Sequence, residues 1–321
     1  MTHTYHRDSG HPCEACPYCL KRTRTTKEGE VKVWYLHMEV VASLIFENGF
    51  QMPLYYHRVR KRQEWENLCG EDLKQECEVS ILPLVLAKIR AYLPKLKIIV
   101  LLDGIHANQT SLDILKKFHF VYCIVLKRLT SVKKDFEGLK TQTHIKTRSV
   151  ASQRFFITQT ASYVNEIAYE NHQLNVIEFD EYAQKKPTKR LAKVHQKHVH
   201  YQWLVDQKIK DATVFQHAEG ARSRWKEEDL FQTVKKRGFH IEHDYSRHPM
   251  SQGVWLSLTL IAFTLSSILL LSDLGILARK KGTIRHLMQQ MLQDLFYLSY
   301  EVIFLVSYPK NLRFSLWANA G

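Results

Sequence analysis

Residues 97–102 (Lys-Ile-Ile-Val-Leu-Leu) form a short apolar run rich in β-branched side chains, closed by Asp103-Gly104. Such a run reads as a buried central strand, and an α/β sheet is the architecture that buries a strand on both faces. An aspartate at the carboxyl end of that strand projects into the crevice where α/β sheets take ligands. The glycine lets the chain turn away. Asp-Gly after a strand is also a common turn, so the pair by itself does not define a site.

A second stretch narrows the choice. Residues 224–243 read as an amphipathic helix that stops at Gly238, after a basic last turn of Lys235, Lys236 and Arg237. Arg224, Glu228, Phe231 and Lys235 recur at helical spacing and share one face. A carboxylate flanked by two cations suits a site where the acid holds a metal and the cations hold phosphates. A surface helix laced with i,i+4 ion pairs fits the same residues.

Arg224-x3-Glu228-x6-Lys235 resembles the signature of bacterial insertion-sequence transposases of the IS-four type. The flanking words Arg-Trp-Lys and Lys-x-x-Gly-Phe-x-x-Glu-His are similar too, although Ala221 stands where the signature begins with a tyrosine. Asp103-Gly-Ile-His-Ala-Asn108 resembles the second-aspartate motif of the same family. The likeness covers roughly residues 9–275. It implies a DDE enzyme: an α/β, ribonuclease-H-like mixed sheet flanked by helices, with a β-rich insertion before the last catalytic helix. Two aspartates and a glutamate would hold Mg²⁺ or Mn²⁺. Asp103 and Glu228 would be catalytic metal ligands, with Arg224, Lys235 and Lys236 on DNA phosphates. The implied reaction is hydrolysis at the transposon end, then attack of the freed 3′-OH on target DNA. The implied partners are the element's ends and target DNA, with a homodimer as the working form, on the bacterial nucleoid in the cytoplasm.

The same resemblance divides the chain into a polar, Cys-containing segment (1–30), a first part of the catalytic domain (31–126), the insertion (127–213), a second part (214–275) and a helical tail (276–321). It puts the first aspartate at about residue 2, where the sequence reads Met-Thr, and no strand is expected before residue 30. Asp8 follows a polar stretch and is a poor substitute. The expectation is a truncated copy, inactive or severely impaired.

Composition fits a polyanionic partner: the formal net charge is +14 and the pI about 9.4. Cations cluster at residues 57–62 and 185–200. Cys13-x2-Cys16-x2-Cys19 has a spacing that suits zinc if His11 or His37 adds a fourth ligand; otherwise these are reduced thiols. With no signal peptide, no disulfides are expected. Strands are expected at 31–46 and 120–126, with strand-like islands at 154–158 and 174–179. Helices are expected at 71–92, 109–119 and near 283–304. Residues 254–272 carry no charge. They read as a buried helix closing the fold, with no membrane partner; a single membrane span is the alternative. A non-catalytic DNA-binding remnant is the rival to a working transposase.

Overall fold

The computed structural model describes residues 2–7, 16–26, 28–62, 70–141, 144–186, 196–236, 239, 241 and 248–271. The chain begins with a four-stranded antiparallel sheet made of β1 (Thr2–Arg7), β2 (Leu20–Thr25), β3 (Val31–Ile45) and β4 (Gln51–Arg58). β3 is the hub and pairs with the other three, at Thr2↔Val40, Leu20↔Leu36 and Glu39↔Arg58. β1 and β2 correct the expectation that no strand precedes residue 30. Their polar sequences gave no periodic signal, and a long neighbour with open backbone groups supplied the pairing that propensity did not. Helix α1 (Gly70–Tyr92) follows.

The larger sheet has six strands in the order β5-β6-β10-β9-β8-β7. These are β5 (Ile99–Leu102), β6 (Val121–Val125), β7 (Ile145–Val150), β8 (Phe155–Tyr169), β9 (His172–Lys185) and β10 (Gln196–Val205). β5 runs parallel to β6 and the other pairs are antiparallel, so the sheet is mixed. Helices α2 (Gln109–Lys117), α3 (Thr130–Leu139) and α4 (Val214–Arg222) flank it. The protein is therefore α/β, as expected. Residues 127–213 are not a separate unit, because β10 pairs with β6 at Leu204↔Ile124 and continues the same sheet.

Alternation along the strands sorts the core into two layers. Tyr122, Ile124, Leu174, Val176 and Leu204 pack on one face with α1, α2 and α3. Cys123, Ile177, Phe179, Trp203 and Val205 pack on the other with α4. β5 departs from expectation. It is an edge strand of this sheet, and Ile99 is 54% exposed, because only β6 pairs with it.

The β8–β9 hairpin turns tightly through Glu170, which adopts a left-handed φ of 49°. Its register shifts between Val164 and Ile167, where Glu166 also takes a positive φ of 62°. Asn175 steadies that bulge by accepting from Glu166 N at 3.1 Å and donating to the carbonyls of Val205 and Asp206.

Helices α5 (Trp225–Lys236) and α6 (Pro249–Leu271) pack against the smaller sheet. Leu230, Phe231 and Val234 meet Val41, Leu256, Leu260 and Phe263. The expectation of a fully buried helix at 254–272 is corrected: one face of α6 is buried, while Val254, Leu258, Ile261, Leu265 and Ile268 are exposed. By length and composition α6 could cross a membrane, with a mean hydropathy of 2.2. The expected tail helix near 283–304, and the segment 276–321 that holds it, lie outside the described residues.

Candidate functional site

Asp103 stands at the carboxyl end of β5, as its position after the apolar run predicts. Its Oδ1 accepts from Gly104 N at 2.6 Å and caps a short 3-10 turn, Gly104–His106. Gly104 is required by packing, since a β-carbon there would collide with Cβ of Lys127 at the end of β6. His106 is buried, which pushes its pKa down to about 4, while the neighbouring Asp103 carboxylate works the other way. Its Nδ1 lies 3.4 Å from Ser111 Oγ. Asn108 accepts from Ser111 N at 2.9 Å and caps α2. The segment 103–108 is thus a rigid strand-to-helix connection with one carboxylate at its head.

On the second element, Arg224 lies in the turn just before α5 and reaches Glu228 across one helical turn, with Arg224 Nη2 to Glu228 Oε1 at 3.0 Å. The guanidinium also lies 5.2 Å from the centre of the Trp225 ring. Glu228 is half-buried at the border of the packed stripe formed by Glu227, Leu230, Phe231 and Val234. Lys235 and Lys236 occupy the last turn. The glycine stop at 238 lies outside the described residues.

Sequence reasoning passed over Glu227. It is buried on the core side of α5, where Ser43 Oγ of β3 donates to Glu227 Oε1 at 3.3 Å. Burial raises its pKa. The signal was present in the sequence, because Glu227 begins the i, i+3, i+4, i+7 stripe completed by apolar residues. Glu39 of β3 was passed over as well. It is 2% exposed, burial raises its pKa to about 7, and Arg58 Nε donates to it at 3.4 Å. Its second oxygen, Oε2, has no hydrogen-bond partner among the described residues.

These groups do not assemble a metal centre. Among the described residues no three His, Cys, Asp or Glu side chains converge as a ligand set. Asp103 Oδ1 is engaged by its own turn and Glu228 Oε1 by Arg224. The zinc expectation rests in part on His11 and Cys13. Cys13 lies outside the described residues, while Cys16 and Cys19 are buried thiols. Cys16 Sγ lies 3.4 Å from His37 Nε2, so His37 does meet the cysteine segment, as a thiol–imidazole contact. The basic stretch 185–200 falls partly outside the described residues; of its histidines, His198 and His200 both bind Asp180 Oδ1, at 2.7 and 3.0 Å.

A mixed six-stranded sheet with an aspartate at the carboxyl end of a parallel strand, and a helix bearing an Arg–Glu pair ahead of two lysines, define an α/β protein with a cationic, carboxylate-bearing surface. No protein-family model matches the chain. No curated protein matches it either.

Proposed function

We propose that the chain is a DNA-binding protein of the insertion-sequence DDE transposase type, built on a ribonuclease-H-like sheet. Asp103 and Glu228 stand for two of that type's three acids, and Arg224, Lys235 and Lys236 meet DNA phosphates. The observation that carries the reading is Asp103 at the carboxyl end of β5, the parallel edge strand of the larger sheet. The net charge of +14 supports a polyanionic partner.

The non-catalytic form of this reading is favoured by the donor set. Two-metal phosphoryl chemistry needs several carboxylates converging on the ions. Here one oxygen each of Asp103 and Glu228 is already hydrogen-bonded, and among the described residues neither belongs to a convergent set of three acids, histidines or cysteines. We therefore assign no Mg²⁺-dependent step to this chain. Its proposed task is to hold DNA, at the ends of an element or at a target.

The test is a salt titration of binding to a duplex bearing an element's ends. With about six phosphate contacts, log K should fall against log salt with a slope near −5. A slope near zero would remove the electrostatic basis of the proposal. Mn²⁺ titration should detect no binding that Glu228→Gln weakens; a site lost in Glu228→Gln but kept in Glu227→Gln would overturn the non-catalytic reading. Robust strand cleavage abolished by Asp103→Asn would overturn the non-catalytic reading.

A further inference from the structure

A cleft of about 460 Å³ opens beside the carboxyl end of β4, and neither Asp103 nor Glu228 lines it. Arg58, Arg60 and Arg62 line it, with Tyr18, Tyr56 and Leu84. The three arginines occupy alternate positions, and Val59 between the first two is wholly buried. The frame around them is stiff. Arg58 donates to Glu39, to the carbonyl of Pro249 and to Gln252 Oε1, and its guanidinium lies 4.3 Å from the centre of the Tyr18 ring. Lys61 N donates to Pro17 O at 2.7 Å, which ties the Tyr18 turn to the basic run. Tyr56 Oη is held by Ser257 Oγ at 2.8 Å, so that wall is fixed to α6.

Arg58 is thus an anchor whose charge is answered by Glu39. Arg60 and Arg62 are exposed at the mouth. The Arg60 guanidinium stands 5.9 Å from the centre of the Tyr18 ring. His57 senses the accumulated positive charge: its pKa is lowered first by burial and then by Arg60 and Arg62. A neutral histidine at the base leaves the guanidiniums to set the field. Guanidinium forks match phosphate oxygens in geometry as well as charge, and an aromatic face beside them accepts a sugar or base.

We infer that this cleft is a phosphodiester-binding site, in which Arg60 and Arg62 hold phosphates of a DNA strand beside the Tyr18 ring. The inference rests on the DNA-binding reading above and adds a second anchor point to it. DNA gripped there would be positioned by the smaller sheet and α6, independently of the Asp103 end of the larger sheet.

The experiment is fluorescence anisotropy of the full chain with a labelled 30-base-pair duplex over a salt series. Arg60→Glu/Arg62→Glu should weaken binding at least tenfold and reduce the salt slope by about two, one for each phosphate that is no longer neutralised. Lys95→Glu/Lys97→Glu is the control. It makes the same change in net charge at exposed positions ahead of β5, at the opposite end of that strand from Asp103. It should leave the slope within about half a unit of wild type. Arg60→Gln/Arg62→Gln should act in the same direction as the glutamates with a smaller effect, and guards against misfolding of the charge reversal. Equal effects of the two glutamate pairs, or wild-type binding by both arginine pairs, would overturn the cleft and leave the general DNA reading standing. Absence of DNA binding by the wild-type chain would overturn both.

Discussion

The two sheets of this protein are stabilised in different ways. The six-stranded sheet buries an apolar layer on each face of its central part, with polar pairs such as Lys140–Glu178 and Arg222–Glu181 farther out. The four-stranded sheet places Glu39 in its interior and meets helices α5 and α6 through Glu227 as well as through apolar side chains. α6 in turn leaves an apolar face exposed. The first region is organised by area burial, which tolerates no voids. The second is organised by a few polar contacts, such as Arg58 with Glu39, Pro249 and Gln252, and its stability therefore depends on protonation.

Cavity formation is the sharpest way to set the two apart. Phe179 is fully buried between strands, 6.3 Å from the Trp203 ring centre. Phe179→Ala should cost about 4 kcal/mol in chemical denaturation. Phe263→Ala in α6, where the residue keeps some exposure, should cost clearly less. Equal losses would erase the distinction.

Protonation is the next lever. The folded-state pKa of Glu39, about 7, lies above its ordinary 4.5, so its contribution is complete below pH 4.5 and is lost as pH rises through 7. His106 has the opposite sign. Its pKa of about 4 lies below its ordinary 6.5, so its contribution is present above pH 6.5 and is lost as pH falls through 4. Between pH 4.5 and 6.5 the two slopes oppose each other. Glu39→Gln removes one of them. Relative to wild type, its stability should climb by ~1.4 kcal/mol per pH unit across that window. Urea melts at three pH values check this, and a variant whose profile runs parallel to wild type would show that Glu39 is not the titrating group.

The smallest effect concerns the connection after β5. Asn108→Ala removes the side-chain cap of α2 and should cost about 1 kcal/mol, with no change in the pH profile set by Glu39. A thermal melt is sufficient to detect it.

Much of the larger sheet was legible in the sequence, because alternation and apolar runs are local signals. β6, α1 and α2 fall within a few residues of their expected places, and Asp103 ends its strand. β8 and β9 run well past the short apolar islands that announced them: the far end of β9 is polar and held by β8's backbone, while the rest of β8 is buried but broken up by Gln159, Ser162, Asn165 and Glu166. β1 and β2 were invisible for a related reason: their sequences are polar and their pairing is supplied by β3, which follows β2 closely but lies far from β1 along the chain. At the site, the shared face of Arg224 and Glu228 was readable from spacing alone. Which glutamate turns inward was readable too, from the apolar stripe of Leu230, Phe231 and Val234 that Glu227 begins; that Ser43 of β3 receives it was not, because that contact joins positions far apart along the chain.

The tight turn between β8 and β9 carries a consequence for the order of assembly. Strands β8, β9 and β10 follow one another along the chain and pair in sequence order, so closing the first hairpin confines only a short loop. The contact of β10 with β6 must instead close the long stretch from Ile124 to Leu204. Local pairings of the first kind form faster than distant ones. The three-stranded meander, with its register pinned at Asn175, should therefore be in place as a template before β6 docks on it, and β5, joined to β6 by a much shorter crossover, should arrive with β6 and bring Asp103 at its tip.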